Sequence, residues 1–214
     1  MGQIENVINA LNANNMNAFV VESRDKVPQM LRTMIQPGQK VCRGGSVTLD
    51  QCGVAELLKN GEYNFLDKWA PDLSPEQRDN LQKEGISADV MVTGVNAITE
   101  SGQLYCVDAS GTRVSLMIFG PRKVIVVAGR NKIVKDLDEA AVRMRTIAAP
   151  LNAKRLFCKT FCNASGKCIN ADSKELVPDN SNCFNTICCN TVIFSRQKIQ
   201  GRINVIIVDE QLGY

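Results

Sequence analysis

Ile4, Val7, Ile8 and Leu11 recur at helical spacing, so the chain is expected to open with an amphipathic helix. A short apolar run, Ala18-Phe19-Val20-Val21, has strand character. Asp25 then precedes a helical stretch through Ile35, with Pro28 tolerated in its first turn. Pro37-Gly38 marks a turn and Lys40-Val41-Cys42 reads as a strand. Gly44-Gly45-Ser46-Val47-Thr48 leads from it into a helix ending near Asn60-Gly61. Ser74-Pro75-Glu76-Gln77 combines an N-cap serine, a proline at the first helical position and a glutamine at the third, a strong helix start that Gly85 closes.

Three apolar runs follow, Asp89 to Thr93, Leu104 to Val107 and Lys123 to Ala128. The core of the last, Val124-Ile125-Val126-Val127, is β-branched throughout, as expected of a strand buried on both faces of a parallel sheet. Asp136-Leu137-Asp138-Glu139 opens a helix to Ala149, and Pro150 is expected to stop it. Thr191 to Phe194 and Ile203 to Val208, joined through Gln200-Gly201, read as a closing hairpin. The alternation of strand and helix predicts an α/β fold with a mainly parallel sheet flanked by helices. Residues 1–214 are read as one domain, with a Cys-rich segment at 158–189 as an appendage.

Composition narrows the function. At 44% apolar residues the chain can bury a full core, and its formal charge of +3 is too small and too dispersed to argue for nucleic acid. No window has the roughly eighteen apolar residues that a membrane helix needs. The N-terminal MGQIENVINALNANN is polar rather than signal-like, so a cytoplasmic protein is expected. There is no histidine. Acid–base chemistry would therefore fall to Asp, Glu, Lys, Tyr or Cys.

Six of the nine cysteines, Cys158, Cys162, Cys168, Cys183, Cys188 and Cys189, lie in the appendage. In a reducing compartment such clustering points to metal or thiol chemistry rather than a disulfide framework, the plain alternative being small free thiols in the packing.

Four segments that follow strands carry candidate chemistry. Gly44, Gly45, Ser46 and Thr48 would let a ligand approach the backbone at a helix N-terminus, with Arg43 adding charge; otherwise they form a tight turn capped by Ser46. In Thr93 to Gly102, Asn96 would orient a ligand and Glu100 would serve as base, nucleophile or clamp, or else sit in solvent. Asp108 and Arg113 either face a ligand or pair with each other. In Gly129-Arg130-Asn131-Lys132 the basic residues, Arg130 first, would hold a phosphate or carboxylate or be solvated. In a parallel sheet all four segments converge on one edge, where open α/β sheets bind ligands.

Read together, several stretches resemble the LUD (lactate utilization) domain family: GGSVTL from Gly44, YNFLDKW from Tyr63, LSPEQR from Leu73, ADVMVTGVNAITESGQL from Ala88, MIFGPRKVIVVAGRNKIVKDLDEA from Met117, AAPLNAKRL from Ala148 and the terminal VDEQLGY. The resemblance covers essentially the whole chain. It implies a NagB/RpiA/CoA transferase-like fold and an association with lactate oxidation beside iron–sulfur partner proteins. It defines no reaction, and a glutamate role at Glu100 rests on analogy with the wider superfamily. The resemblance also implies a metal-ligating tail. Cys162, Cys168 and Cys188 match it, whereas Phe161 replaces a proline and Ala171 stands where a further cysteine belongs. A four-thiolate site would need Cys158, Cys183 or Cys189 as its last ligand.

Two readings follow. In the first, a Gly-rich pocket binds a small anionic metabolite, a carboxylate or phosphate, with Glu100 as the catalytic candidate and Gly44, Gly45, Ser46, Thr48, Asn96, Asp108 and Arg130 as ligand contacts. In the second, a non-catalytic subunit docks iron–sulfur redox partners through its Cys-rich tail, with zinc or another metal at Cys162, Cys168 and Cys188. A thiol redox sensor is a third reading. Neither nucleic acid nor membrane is expected as a partner, and a homodimer is one open assembly.

Overall fold

The computed structural model describes residues 2–214. In chain order the strands are β1 (Asn17–Val21), β2 (Lys40–Arg43), β3 (Asn64–Phe65), β4 (Val90–Thr93), β5 (Ala97–Thr99), β6 (Leu104–Asp108), β7 (Lys123–Gly129), β8 (Ile133–Val134), β9 (Asn190–Phe194) and β10 (Ile203–Val208). The α-helices are α1 (Gln3–Ala13), α2 (Val27–Met34), α3 (Val47–Gln51), α4 (Val54–Leu58), α5 (Pro75–Glu84), α6 (Thr112–Ile118), α7 (Leu137–Arg143), α8 (Ala149–Arg155) and α9 (Phe161–Ser165).

Six strands form a parallel sheet in the order β1-β10-β7-β4-β2-β3. The others form a smaller mixed sheet, β8-β5-β6-β9, in which β6 runs antiparallel to both neighbours. The parallel sheet is flanked on both sides, as expected. Along β7, Val124, Val126 and Ala128 face a core shared with α1 and α6, while Ile125 and Val127 face a second core under α2, α3 and α4. The small sheet lies between two layers. Leu104 and Cys106 of β6 join the first core, and Tyr105 and Val107 join a third with α7 and α8.

Most of the expected elements are present, including the Ser74 capping box, with the Ser74–Gln77 backbone and side-chain bonds formed in both directions. Three expectations are corrected. The closing hairpin does not form: β9 pairs with β6 in the small sheet, and β10 crosses to the parallel sheet between β1 and β7. All six residues of β10 are buried, so it needs apolar cover on both faces, which a hairpin at the periphery cannot give. Pro150 does not stop the helix that begins at Leu137. Residues 144–148 widen into a π-helical turn, and the helix continues through Pro150 to Arg155. A widened turn accommodates a missing N–H donor without breaking the helix. The helix expected from Ser46 to Asn60 is instead two short ones, divided at Gly53, which adopts φ +65°.

Among the described residues, no helix is long and apolar enough to cross a membrane.

Ile125 sits fully buried at the middle of β7. Ile125→Ala is expected to cost about 2–5 kcal/mol by deleting apolar contacts and leaving a cavity. A urea titration followed by circular dichroism measures it.

Candidate functional site

The turns after β2, β4, β6 and β7 converge, although β6 belongs to the small sheet. They enclose a cavity of about 310 Å³ whose wall includes Arg43, Gly44, Gly45, Ser46, Thr48, Asn96, Asp108, Arg113 and Lys132. Lys68 and Trp69, Arg155 and the terminal Tyr214 complete the rim. The β2 and β4 turns interlock at glycines. A Cβ at Gly44 would lie 2.6 Å from the Thr93 hydroxyl, and one at Gly94 would lie 2.5 Å from Ser46 Oγ. Only hydrogen fits at either place, so these glycines serve the close approach of two turns.

Six of the expected ligand contacts thus line one cavity, but several of their polar atoms are already engaged. Ser46 Oγ accepts the Leu49 N–H as the α3 cap, at 3.4 Å. Asn96 Oδ1 accepts the Val107 N–H at 2.8 Å and an Arg113 N–H at 3.0 Å. Asp108 accepts the Gly111 N–H at 2.8 Å and pairs with Arg113 at 3.4 Å. These side chains brace the turns that hold the cavity open.

Two expectations fail on position. Glu100 is not in the cavity. The segment read as a connecting loop contains β5, whose three residues carry the chain away from the β4 turn before Glu100 is reached. Its carboxylate is exposed and accepts a hydrogen bond from Gln3 at 2.9 Å. Arg130 is exposed as well and pairs with Asp209 at 3.0 Å. The basic residue that the β7 turn sends inward is Lys132, two positions further on.

Lys132 is only 3% exposed. Its amine donates to Thr48 Oγ1 at 2.9 Å, and Thr48 donates in turn to the Leu212 carbonyl at 3.3 Å. Among the described residues no carboxylate pairs with this amine; the charged groups that act on it most strongly are Arg143 and Arg113. Burial first, then those guanidiniums, push its pKa down from 10.5 to about 7, with the thiols of Cys106 and Cys52 acting weakly in the opposite sense. Burial also lowers the pKa of Lys68, against the pull of Cys42 and Asp108.

The cavity wall is strongly cationic. It carries Arg43, Lys68, Arg113, Lys132 and Arg155 against one carboxylate, Asp108. Arg43 is paired with Asp50 at 2.7 Å and Arg113 with Asp108. Lys68, Lys132 and Arg155 have no ion-pair partner among the described residues. Arg43 also lies 4.5 Å from the centre of the Trp69 ring, and its buried Nε has no hydrogen-bond partner. Arg155 is held by Asn152 and, at 2.7 Å, by the Tyr214 hydroxyl.

Cys162, Cys168 and Cys188 share one neighbourhood. Burial raises the pKa of Cys188 to about 12, reinforced by Cys168, Cys162 and Cys183, and burial likewise raises that of Cys168. Among the described residues, however, no group of three or more His, Cys, Asp or Glu side chains is arranged to hold a metal ion, and every cysteine is a free thiol. The geometry therefore does not supply the expected metal site. The segment reaches the cavity through Ile187, beside Cys188.

The sequence model of the LUD domain matches residues 4–208. The chain belongs to the LUD domain family. At the level of the family this gives it a role related to lactate utilization. The fold is also similar to that of a DUF162 family protein from Deinococcus radiodurans, with 14% identity, a TM-score of 0.55, and coverage of 97% of this chain and 98% of that one. At that identity the likeness is one of fold. Partial likenesses extend to eIF2B beta from Chaetomium thermophilum (14% identity, 53% of this chain and 43% of that one, TM-score 0.37). Ribose 5-phosphate isomerase from Plasmodium falciparum is similar over 52% of each chain, at 15% identity and a TM-score of 0.32. No curated protein matches the chain. In this LUD domain the basic residue of Gly129 to Lys132 that lines the cavity is Lys132, whereas the sequence reading puts Arg130 forward as the ligand contact. The signal for Lys132 was its place in the turn after the β-branched strand β7, but nothing in the motif distinguished it from Arg130.

Lys132 gives a pH prediction with a definite sign. Between pH 7 and about pH 10 the unfolded chain binds more protons at this lysine than the folded one, so stability rises with pH across that window. The destabilisation is full below pH 7. Lys132→Met is expected to raise the melting temperature by roughly 5 °C at pH 6 and by little near pH 10. Parallel thermal melts of both proteins across that range test it.

Proposed function

We propose that this LUD domain binds a small anionic metabolite, a carboxylate or a phosphate, in the cavity formed by the β2, β4, β6 and β7 turns. The observation that carries the reading is the buried amine of Lys132, which lines the cavity with a hydroxyl for a partner and two guanidiniums nearby. Burying an unpaired ammonium is costly, and an anion beside it removes that cost. Arg43 and Arg155 are placed to share the ligand's charge: one has an unpaired Nε at the wall, and the other is positioned by Tyr214. Three-residue β5 and exposed Glu100 take no part.

The family-level role points the search toward lactate and its chemical relatives. Lactate, pyruvate, inorganic phosphate, phosphosugars and CoA esters form the probe set, with lactamide as an uncharged control. An anion that binds the folded state raises the melting temperature in step with its concentration. At least one probe anion is expected to do so, with lactamide inert. Lys132→Met should weaken the response by about tenfold in apparent Kd, the loss of one partly buried ion pair. A bound anion favours the charged amine, so binding takes up a proton and should weaken as pH rises above about 7. If no probe anion shifts the melt, or if Lys132→Met responds as the parent does, the reading falls.

A further inference from the structure

We infer that Lys132 is a nucleophile that forms an imine with a small 2-oxo acid bound in the cavity. This rests on the anion-binding reading above and adds a covalent step to it. Three features of the geometry lead to it. Lys132 is buried yet is one of the residues that line the cavity, which puts its amine beside a ligand-sized space screened from bulk water. Its one hydrogen bond is to a hydroxyl, Thr48 Oγ1 at 2.9 Å, which leaves the nitrogen free of any carboxylate that would hold it as an ammonium. Besides Arg113, which pairs with Asp108, the wall carries Arg43, Lys68 and Arg155, cations that suit a carboxylate on the same molecule. An amine and a carboxylate clamp in one small cavity match a carbonyl carbon next to a carboxylate.

The charged and titratable groups facing Lys132 agree with this role. Arg143 from α7 and Arg113 from α6 disfavour the ammonium, and Cys106 of β6 and Cys52 after α3 oppose them only in part. With a pKa of about 7, roughly half of this lysine is free amine at neutral pH, about a thousandfold more than a surface lysine offers. In the step itself, the nitrogen lone pair forms the C–N bond while the carbonyl π pair moves to oxygen. One amine proton passes to that oxygen to give the carbinolamine; the nitrogen then loses its second proton, the oxygen takes one up, and as the C–O bond breaks to release water the nitrogen lone pair forms C=N. One amine and one carbonyl give one imine and one water, with no oxidant or reductant. Thr48, bonded to the nitrogen, is the positioning hydroxyl for these proton movements.

The test is reductive trapping. The full chain is incubated with pyruvate and sodium borohydride, and the product is read by intact mass and peptide mapping. Lactate, which has the same charge and no ketone, is the competitor. Lys132→Met and Lys132→Arg are carried in parallel, the second keeping a cation while losing the nucleophile. We expect one reduced pyruvyl group per chain, mapped to Lys132, at least about tenfold less in both variants. Trapping should be suppressed by lactate and should pass through a maximum near pH 7, where part of the lysine is free amine and the carboxylate still binds. An adduct spread over surface lysines and equal in the variants overturns the inference. If pyruvate and lactate both raise the melting temperature but no adduct forms, the imine is overturned and the anion-binding reading stands. If neither a shift nor an adduct appears, both fall.

Discussion

The structure depends on the insertion of β10 between β1 and β7. All six residues of β10 are buried, and both of its edges are paired in parallel register, Ile203 to Val124 and Val205 to Ala18 among them. A strand of this kind has no stable place at a sheet edge or in an isolated hairpin, because apolar side chains on both faces and unpaired backbone groups on one edge would meet water. Taking the interior position joins the two ends of the chain through one hydrogen-bonded ladder. It also fixes where the last six residues run.

That tail builds part of the cavity. After β10, Glu210 accepts the Arg130 N–H, and the side chain of Asn131 bonds both Leu212 and Gly213. The Leu212 carbonyl then receives the Thr48 hydroxyl, which itself receives the Lys132 amine. Tyr214 ends at Arg155. Strand pairing in the sheet is therefore linked by a short chain of hydrogen bonds to the position of a buried amine. The tail ties down the β7 turn by hydrogen bonds, and the glycines of the β2 and β4 turns let those two turns approach closely.

The electrostatics of the cavity run against folding. Burying the Lys132 amine beside Arg143 and Arg113 with no carboxylate partner costs free energy in the empty protein, and its lowered pKa reflects that cost, burial first. Cores rarely keep such a feature without a use. An anion bound there, as proposed, would recover the stability given up in the unliganded state. Burial first, and then the neighbouring guanidiniums, leave part of this lysine as free amine at neutral pH in a chain with no histidine.

The sequence by itself determined the order of strands and helices, the burial of β7 on both faces and the clustering of Gly-rich turns after strands, because these follow from periodicity, turn chemistry and local capping. It also marked Gly44, Gly45, Ser46, Thr48, Asn96 and Asp108 as neighbours. Tertiary structure alone decided the rest. Whether Thr93 to Gly102 was a loop or held a strand depended on β6 and β8 being there to pair with β5, and that pairing carried Glu100 out of the cavity. Which basic residue of Gly129 to Lys132 turned inward depended on the tail holding Asn131 and on Asp209 holding Arg130 at the surface. The placement of β10 depended on a cover for both its faces that only the assembled layers supply. Local sequence sets what each segment can form; competition for burial and for backbone partners, settled across the whole chain, sets where each side chain points.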